Sequence, residues 1–227
     1  MSLEPSTSSI RSRRGERIRQ LTITLVALVA VSILWQFMLF QGKRSTLSPT
    51  WESSLAPLVM EGGDPYIRAL MRTISASESN SKQPYSLLYG GEQFQDLSHH
   101  PDRCVPIVVG VNQGDCTTAA GRYQFITTTW LEKATLYHPQ PPNFFFWQSY
   151  SFEPIYQDQV VYRWLSDPQA WGVDLAVLLR EGRLEEVLQL LSPTWTSLGY
   201  GIESNDMTGL LPQIYEQVLQ QELKNGA

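Results

Sequence analysis

IRALMRTISASESN, residues Ile67 to Asn80, is the stretch on which the fold of this chain turns. Ile67, Leu70, Met71 and Ile74 stand at i, i+3, i+4 and i+7, the apolar stripe of an amphipathic helix. Asp64 followed by Pro65 supplies the start: a side-chain acceptor at the N-cap, then a residue at N1 whose missing N–H has no helical partner to lose. Glu78 lies eleven residues beyond Ile67. At about 100° per residue it returns to within roughly 20° of the stripe. A carboxyl group on the apolar side of a last helical turn is drawn out of water. That disfavours its charged form and keeps a proton available near neutral pH, as a general acid requires. The alternative is a helix end whose acid turns to solvent.

Charge is unevenly spread along the 227 residues. The first twenty hold five arginines against Glu4 and Glu16, a net of +3, so with −5 overall the remainder carries −8. This argues against a bulk electrostatic affinity for nucleic acid. No charge stands between Arg19 and Lys43, and Leu21 to Phe40 (LTITLVALVAVSILWQFMLF) is twenty mostly apolar residues. As a helix that run is about 30 Å long, enough to cross a bilayer. Arginines ahead of it place the N-terminus in the cytoplasm and the rest of the chain in the periplasm or otherwise outside the membrane. A cleaved signal peptide is the competing reading, but its apolar core is shorter and ends in small residues. Here the run closes on Trp35, Phe37, Met38, Leu39 and Phe40. The expected organisation is a basic cytoplasmic tail (1–20), a transmembrane signal anchor (21–40), a polar tether (41–61) and one domain (62–227).

Within that domain, Tyr85 to Tyr89 and Glu92 to Phe94 flank Gly90-Gly91 and read as a β-hairpin. Residues 98–121 read as irregular connection. Thr127 or Thr128 can cap a helix to about Tyr137, stopped by Pro139, Pro141 and Pro142, and Ser151 can cap the next, through Leu165. Apolar helices follow at about Trp171 to Arg180 and Leu184 to Leu191, and a last one carries Leu211, Ile214, Tyr215, Val218 and Leu219. The fold class is α+β, predominantly helical, with one small hairpin. Cys104 and Cys116 are the two cysteines. In an exported domain they invite a disulfide; two free thiols are the alternative. With His99, His100 and His138 they fit no common zinc spacing, so neither metal nor other cofactor is expected.

Three fragments occur in order: Ser77-Glu78-Ser79, Ala119-Ala-Gly-Arg-Tyr-Gln-Phe125 and Gly199-Tyr-Gly201. Together with Gly90-Gly91-Glu92-x-Phe94, Asp96-Leu-Ser-His-His-Pro101 and Trp195, this pattern resembles the phage lambda lysozyme family, within the lysozyme-like superfamily that includes lytic transglycosylases. The resemblance spans about residues 66–220. It implies a lytic transglycosylase of peptidoglycan glycan strands that cuts between N-acetylmuramic acid and N-acetylglucosamine and leaves a 1,6-anhydro ring. Glu78 matches the catalytic glutamate, acting as acid and then as base. Tyr200 matches a late tyrosine that contacts substrate beside it, and Tyr123 and Gln124 match a loop lining the cleft. Ser86 and Tyr89, on the hairpin strand, complete the implied substrate contacts. Two departures stand out: Ser86 occupies a position where the family pattern has an aspartate, and the Cys104 to Cys116 loop and the anchor have no counterpart there.

Two other readings remain open. A hydrolytic muramidase would use Glu78 with a second carboxylate, for which Glu92 and Asp96 are the candidates. A non-catalytic wall-binding module would keep the cleft without turnover.

Overall fold

A computed structural model of the chain describes residues 56–108, 112–142, 149–201 and 207–225, all within the unit Ser48–Ala227. In order, the elements are α1 (Pro65–Glu78), β1 (Val105–Pro106), β2 (Cys116–Thr117), α2 (Thr127–Tyr137), α3 (Pro154–Leu165), α4 (Pro168–Trp171), α5 (Leu175–Arg180), α6 (Leu184–Leu191) and α7 (Leu211–Asn225). The domain is mostly helical with one two-stranded sheet, the class expected. The apolar run 21–40 lies outside the described residues, among which no helix is long and apolar enough to cross a membrane.

α1 forms where its start signal stands. Asp64 Oδ1 accepts from the N–H groups of Tyr66 (2.9 Å) and Ile67 (3.4 Å), and Pro65 occupies N1. Ser79 closes the other end: its N–H donates to Ser75 O (2.8 Å) and its hydroxyl to Arg122 O (2.7 Å). More than the apolar stripe is buried. Arg72, Thr73 and Ser75 are 3%, 0% and 1% exposed, so α1 runs through the middle of the domain instead of lying on its surface. α7 is the cause. It packs along α1, and its Glu222 accepts from Arg72 Nη1 (2.8 Å) and Arg68 Nε (2.6 Å), so the buried charges are paired.

The expected hairpin at Tyr85 to Phe94 is not the sheet of this fold. Two 3-10 turns (Pro84–Ser86 and Tyr89–Gly91) take up most of it, with one antiparallel bridge, Leu87 to Gln93. Its backbone pairs elsewhere: Tyr89 N–H donates to Ala119 O (3.0 Å) and Gly121 N–H to Leu87 O (2.8 Å). The flanks also keep local bonds, Leu88 N–H to Glu92 O (2.8 Å) and Phe94 N–H to Ser86 O (2.9 Å), so a segment about thirty residues away adds to the local pairing without replacing it. The sheet lies instead in the stretch read as irregular, where β1 and β2 pair antiparallel with Val105 opposite Thr117 and Pro106 opposite Cys116.

Other boundaries shift for local reasons. Ile126, not Thr127 or Thr128, is the N-cap of α2, because the Thr127 hydroxyl donates to Asp102 Oδ1 (2.6 Å). α3 starts at Pro154, while Ser151 Oγ accepts from Glu153 N–H (3.4 Å) ahead of it. The helix read across Trp171 to Arg180 is two helices: left-handed Gly172 (φ 72°) ends α4, and Asp174 Oδ1 caps α5 by accepting from Val177 N–H (3.1 Å). Residues 56–61, assigned to the tether, are packed on the domain: Leu58 and Met60 are buried, and Arg122 donates to the carbonyls of Ala56 (2.6 Å) and Pro57 (2.9 Å).

Buried aromatic rings hold the helices behind the site. Trp130 meets Phe152 edge to face at 4.7 Å, and Trp164 meets Trp195 at a tilt (5.2 Å) and stacks on half-buried Trp171 (5.1 Å). Burying each such ring stabilises the fold by roughly 1.5–3 kcal/mol.

Candidate active site

A cleft of about 1060 Å³ opens beside the C-terminal end of α1 and is lined by Ser77, Glu78, Tyr89, Gln124, Thr129, Glu132, Lys133, Trp164 and Ser197, among others. Glu78, the last residue of α1, is half-buried in its wall. Ser197 Oγ donates a short hydrogen bond to Glu78 Oε1, and Ser77 Oγ donates to Ser197 Oγ (2.6 Å). Ser197 sits on the 3-10 turn Thr196–Leu198, anchored on both sides. Before it, the buried indole of Trp195 donates to Tyr123 O (3.2 Å). After it, Gly199 takes φ 96°, and a Cβ there would run into the Thr208 side chain. A hydroxyl aimed at one carboxyl oxygen fixes the orientation of the group.

The Gly121-Arg-Tyr-Gln124 turn forms the adjoining wall. Gly121 (φ 75°) has no room for a Cβ, which would strike Gln157 and the Phe152 ring. Gln124, itself left-handed (φ 46°), donates from Nε2 to Gly121 O (2.9 Å) and Leu87 O (3.2 Å), which locks its amide at the cleft.

Tyr123 and Arg122 turn inward. Tyr123 is among the residues lining the cleft, as expected, but the expectation that its phenol reaches substrate is corrected: the side chain is fully buried and donates to Asp158 Oδ1 (2.7 Å). Burial, reinforced by the Asp158 charge, pushes this phenol well above its ordinary value. Asp158 Oδ2 also accepts from Tyr85 Oη (2.8 Å) and Val59 N–H (2.7 Å), and Arg122 Nη1 donates to Tyr85 Oη (2.8 Å). These residues make a buried polar network that holds the incoming chain to the domain, which is a structural role.

Of the other implied contacts, Tyr89 lines the cleft. Ser86 does not; its hydroxyl is engaged by the Gln93 amide at 2.6 Å. Tyr200 also stands outside the lining, 38% exposed in a left-handed conformation (φ 63°). Cys104 and Cys116 are bonded, with Cα atoms 5.5 Å apart. The loop they close contributes Ile107 and Asn112 to the cleft, and Thr117 follows directly after it. Glu92 and Asp96 are not in the cleft: Glu92 pairs with Arg103 on the surface (2.5 Å), and Asp96 caps Ser98 N–H (2.9 Å). Among the described residues no group of side chains is arranged to hold a metal. Ser197, Glu132, Lys133 and Trp164 escaped the sequence reading. Only Ser197 left a trace in it, two residues after the singled-out Trp195.

Residues 68–221 match the sequence model of the Endolysin family. The chain belongs to this family. It is therefore a cell-wall lytic enzyme of the endolysin family. Among solved structures, bacteriophage lambda lysozyme complexed with a chitohexasaccharide is 23% identical, with a TM-score of 0.49 over 70% of this chain and 97% of that one. Another structure of lysozyme from bacteriophage lambda is 20% identical, with a TM-score of 0.47 over 74% of this chain and 98% of its own. No curated protein matches the endolysin in sequence.

Proposed function

We propose that this endolysin is a membrane-anchored lytic transglycosylase, cleaving the bond between N-acetylmuramic acid and N-acetylglucosamine on the outer side of the cytoplasmic membrane. The observation that carries the reading is Glu78, half-buried in the wall of an open cleft with a hydroxyl donor fixed on its carboxyl group. Glu78 first gives its proton to the glycosidic oxygen as the bond to C1 breaks. The carboxylate left behind, stabilised by Ser197, then takes the proton of the muramyl 6-hydroxyl while O6 bonds to C1. The ring closes without water, and Glu78 ends protonated as it began. One carboxylate serves both steps, whereas ordinary glycosidases need two. The two acids that sequence offered as a partner, Glu92 and Asp96, lie outside the cleft, which supports the one-carboxylate scheme. The cleft volume, at the upper end of the range for small-ligand sites, suits several sugar units.

A hydrolytic muramidase is the second reading, favoured by Glu132, a second carboxylate in the same cleft. Glu78→Gln abolishes release of soluble fragments from cell-wall sacculi under both schemes; near-normal turnover removes Glu78 from the mechanism. Glu132→Gln separates them, since it spares cleavage in the first and stops it in the second. Saccharide binding without any release, indifferent to Glu78→Gln, would mark a wall-binding module. The anchor rests on Leu21 to Phe40 and the arginines before it. With a tag at each end, both tags should sediment with membranes. A soluble C-terminal tag parted from its N-terminal one would mean a cleaved leader.

A further inference from the structure

Lys133 is the sole cation among the described residues that line the cleft, in an exported portion whose net charge is −8 once the +3 of the first twenty residues is set apart. Its position is built. The ammonium sits 4.4 Å from the centre of the Trp164 ring, and its side chain is only 17% exposed. Trp164 is itself 5% exposed and held by the rings of Trp171 and Trp195, so the shelf under the cation is rigid. Its one anionic partner among the described residues, Glu132 Oε1 at 2.7 Å, belongs to the neighbouring residue and is 64% exposed. Such a pair is solvent-competed, and an incoming anion can replace it.

We propose that Lys133 recognises a carboxylate carried by a muramyl residue, and so sets the enzyme's preference for acidic glycan over neutral chitin-type chains. This rests on the saccharide-cleaving reading above. N-acetylglucosamine has no carboxyl group. A muramyl residue has one on its lactyl arm, or, when that arm is amidated by a peptide, further carboxylates along the peptide. An ammonium inside the groove meets such a group as a point charge and distinguishes two polysaccharides with the same backbone. A single contact of this kind adds little to overall salt dependence, which fits an anionic domain that cannot attract an acidic polymer by net charge.

The test uses the full chain as wild type, Lys133→Met and Lys133→Arg. Lys133→Met keeps the aliphatic stem on Trp164 and removes the charge. On intact sacculi and on peptide-stripped glycan, Lys133→Met should raise KM about tenfold with kcat little changed, and Lys133→Arg should recover most of the loss. Affinity for chitohexaose, which carries no carboxylate, should stay the same in all three, and this also reports an intact cleft. A loss confined to intact sacculi assigns the peptide carboxylates; a loss confined to stripped glycan assigns the lactyl group. An unchanged KM on both, or an equal loss of chitohexaose affinity, overturns the proposal. If wild type cleaves neither acidic substrate, the lytic reading fails, and the role of Lys133 is then decided by whether wild type binds stripped glycan more tightly than Lys133→Met does.

Discussion

Replacing Glu222 by alanine tests whether α1 is positioned from within the core. The Glu222 carboxylate is 2% exposed and bridges Arg68 and Arg72, whose side chains are 15% and 3% exposed. Without it, Arg68 keeps the carbonyls of Met60 and Gly62 (2.9 Å each), whereas the more deeply buried Arg72 keeps Gln221 Oε1 (2.7 Å) but loses the Glu222 carboxylate. Stranding one partner of a buried pair costs roughly 3–5 kcal/mol, a large fraction of the about 5–15 kcal/mol that holds a typical domain. The surface pair Arg103–Glu92, with side chains 53% and 57% exposed, is the internal control, and Glu92→Ala should cost about 0–1 kcal/mol. Urea unfolding followed by tryptophan fluorescence measures both, since the midpoint shift multiplied by the slope gives the loss. The double substitution Arg72→Met with Glu222→Met should recover most of the stability, because the two most deeply buried charges go together and Arg68 keeps its two carbonyls. Equal, small losses for Glu222→Ala and Glu92→Ala would refute the central placement of α1.

Three further outcomes are expected. Ser197→Ala should lower kcat on the order of tenfold with KM and melting temperature nearly unchanged, since it removes one hydrogen bond to the reacting carboxyl group; a normal kcat would show that Glu78 is oriented by other groups. Replacing Cys104 and Cys116 by serine opens a cross-link of sequence separation 12, should cost about 3 kcal/mol, and should raise KM because the loop walls the cleft. Unchanged KM in steady-state kinetics would detach the loop from substrate binding. His100 is buried, with Nε2 on Phe125 O (2.7 Å) and Nδ1 accepting from Asp102 N–H (3.2 Å). Burial lowers its folded value below 6.5. The unfolded chain therefore binds the proton first, so the His100 contribution is complete above pH 6.5 and is lost as pH falls from there through the lower folded value. Melting temperature against pH should decline over that window in wild type, and less steeply in His100→Gln.

Features carried by neighbouring residues were legible in the sequence. Asp64-Pro65 and the stripe from Ile67 to Ile74 define α1 locally, and periodicity alone carries Glu78 to its end. The Gly90-Gly91 turn was legible too, with Gly90 at φ 82° and its flanks bonded to each other, but the further pairing of Leu87 and Tyr89 with Ala119 to Gly121 was not, because that segment arrives from a distance. Tyr123 illustrates the same limit. Nothing within the Gly-Arg-Tyr-Gln run says which side chains face inward; Asp158, thirty-five residues on, decides that the phenol is buried while Gln124 stays at the cleft. Ser197 and Lys133 gain meaning only through partners, Glu78 and Trp164, that no spacing rule connects to them.

The most direct test of the proposed chemistry is the mass spectrum of the glycan ends released from sacculi by the full chain, with Glu78→Gln as the blank. A Glu78 that both gives and takes the proton predicts 1,6-anhydromuramyl termini, lighter by one water than reducing termini. Reducing muramyl termini made by wild type and absent from the blank would contradict it.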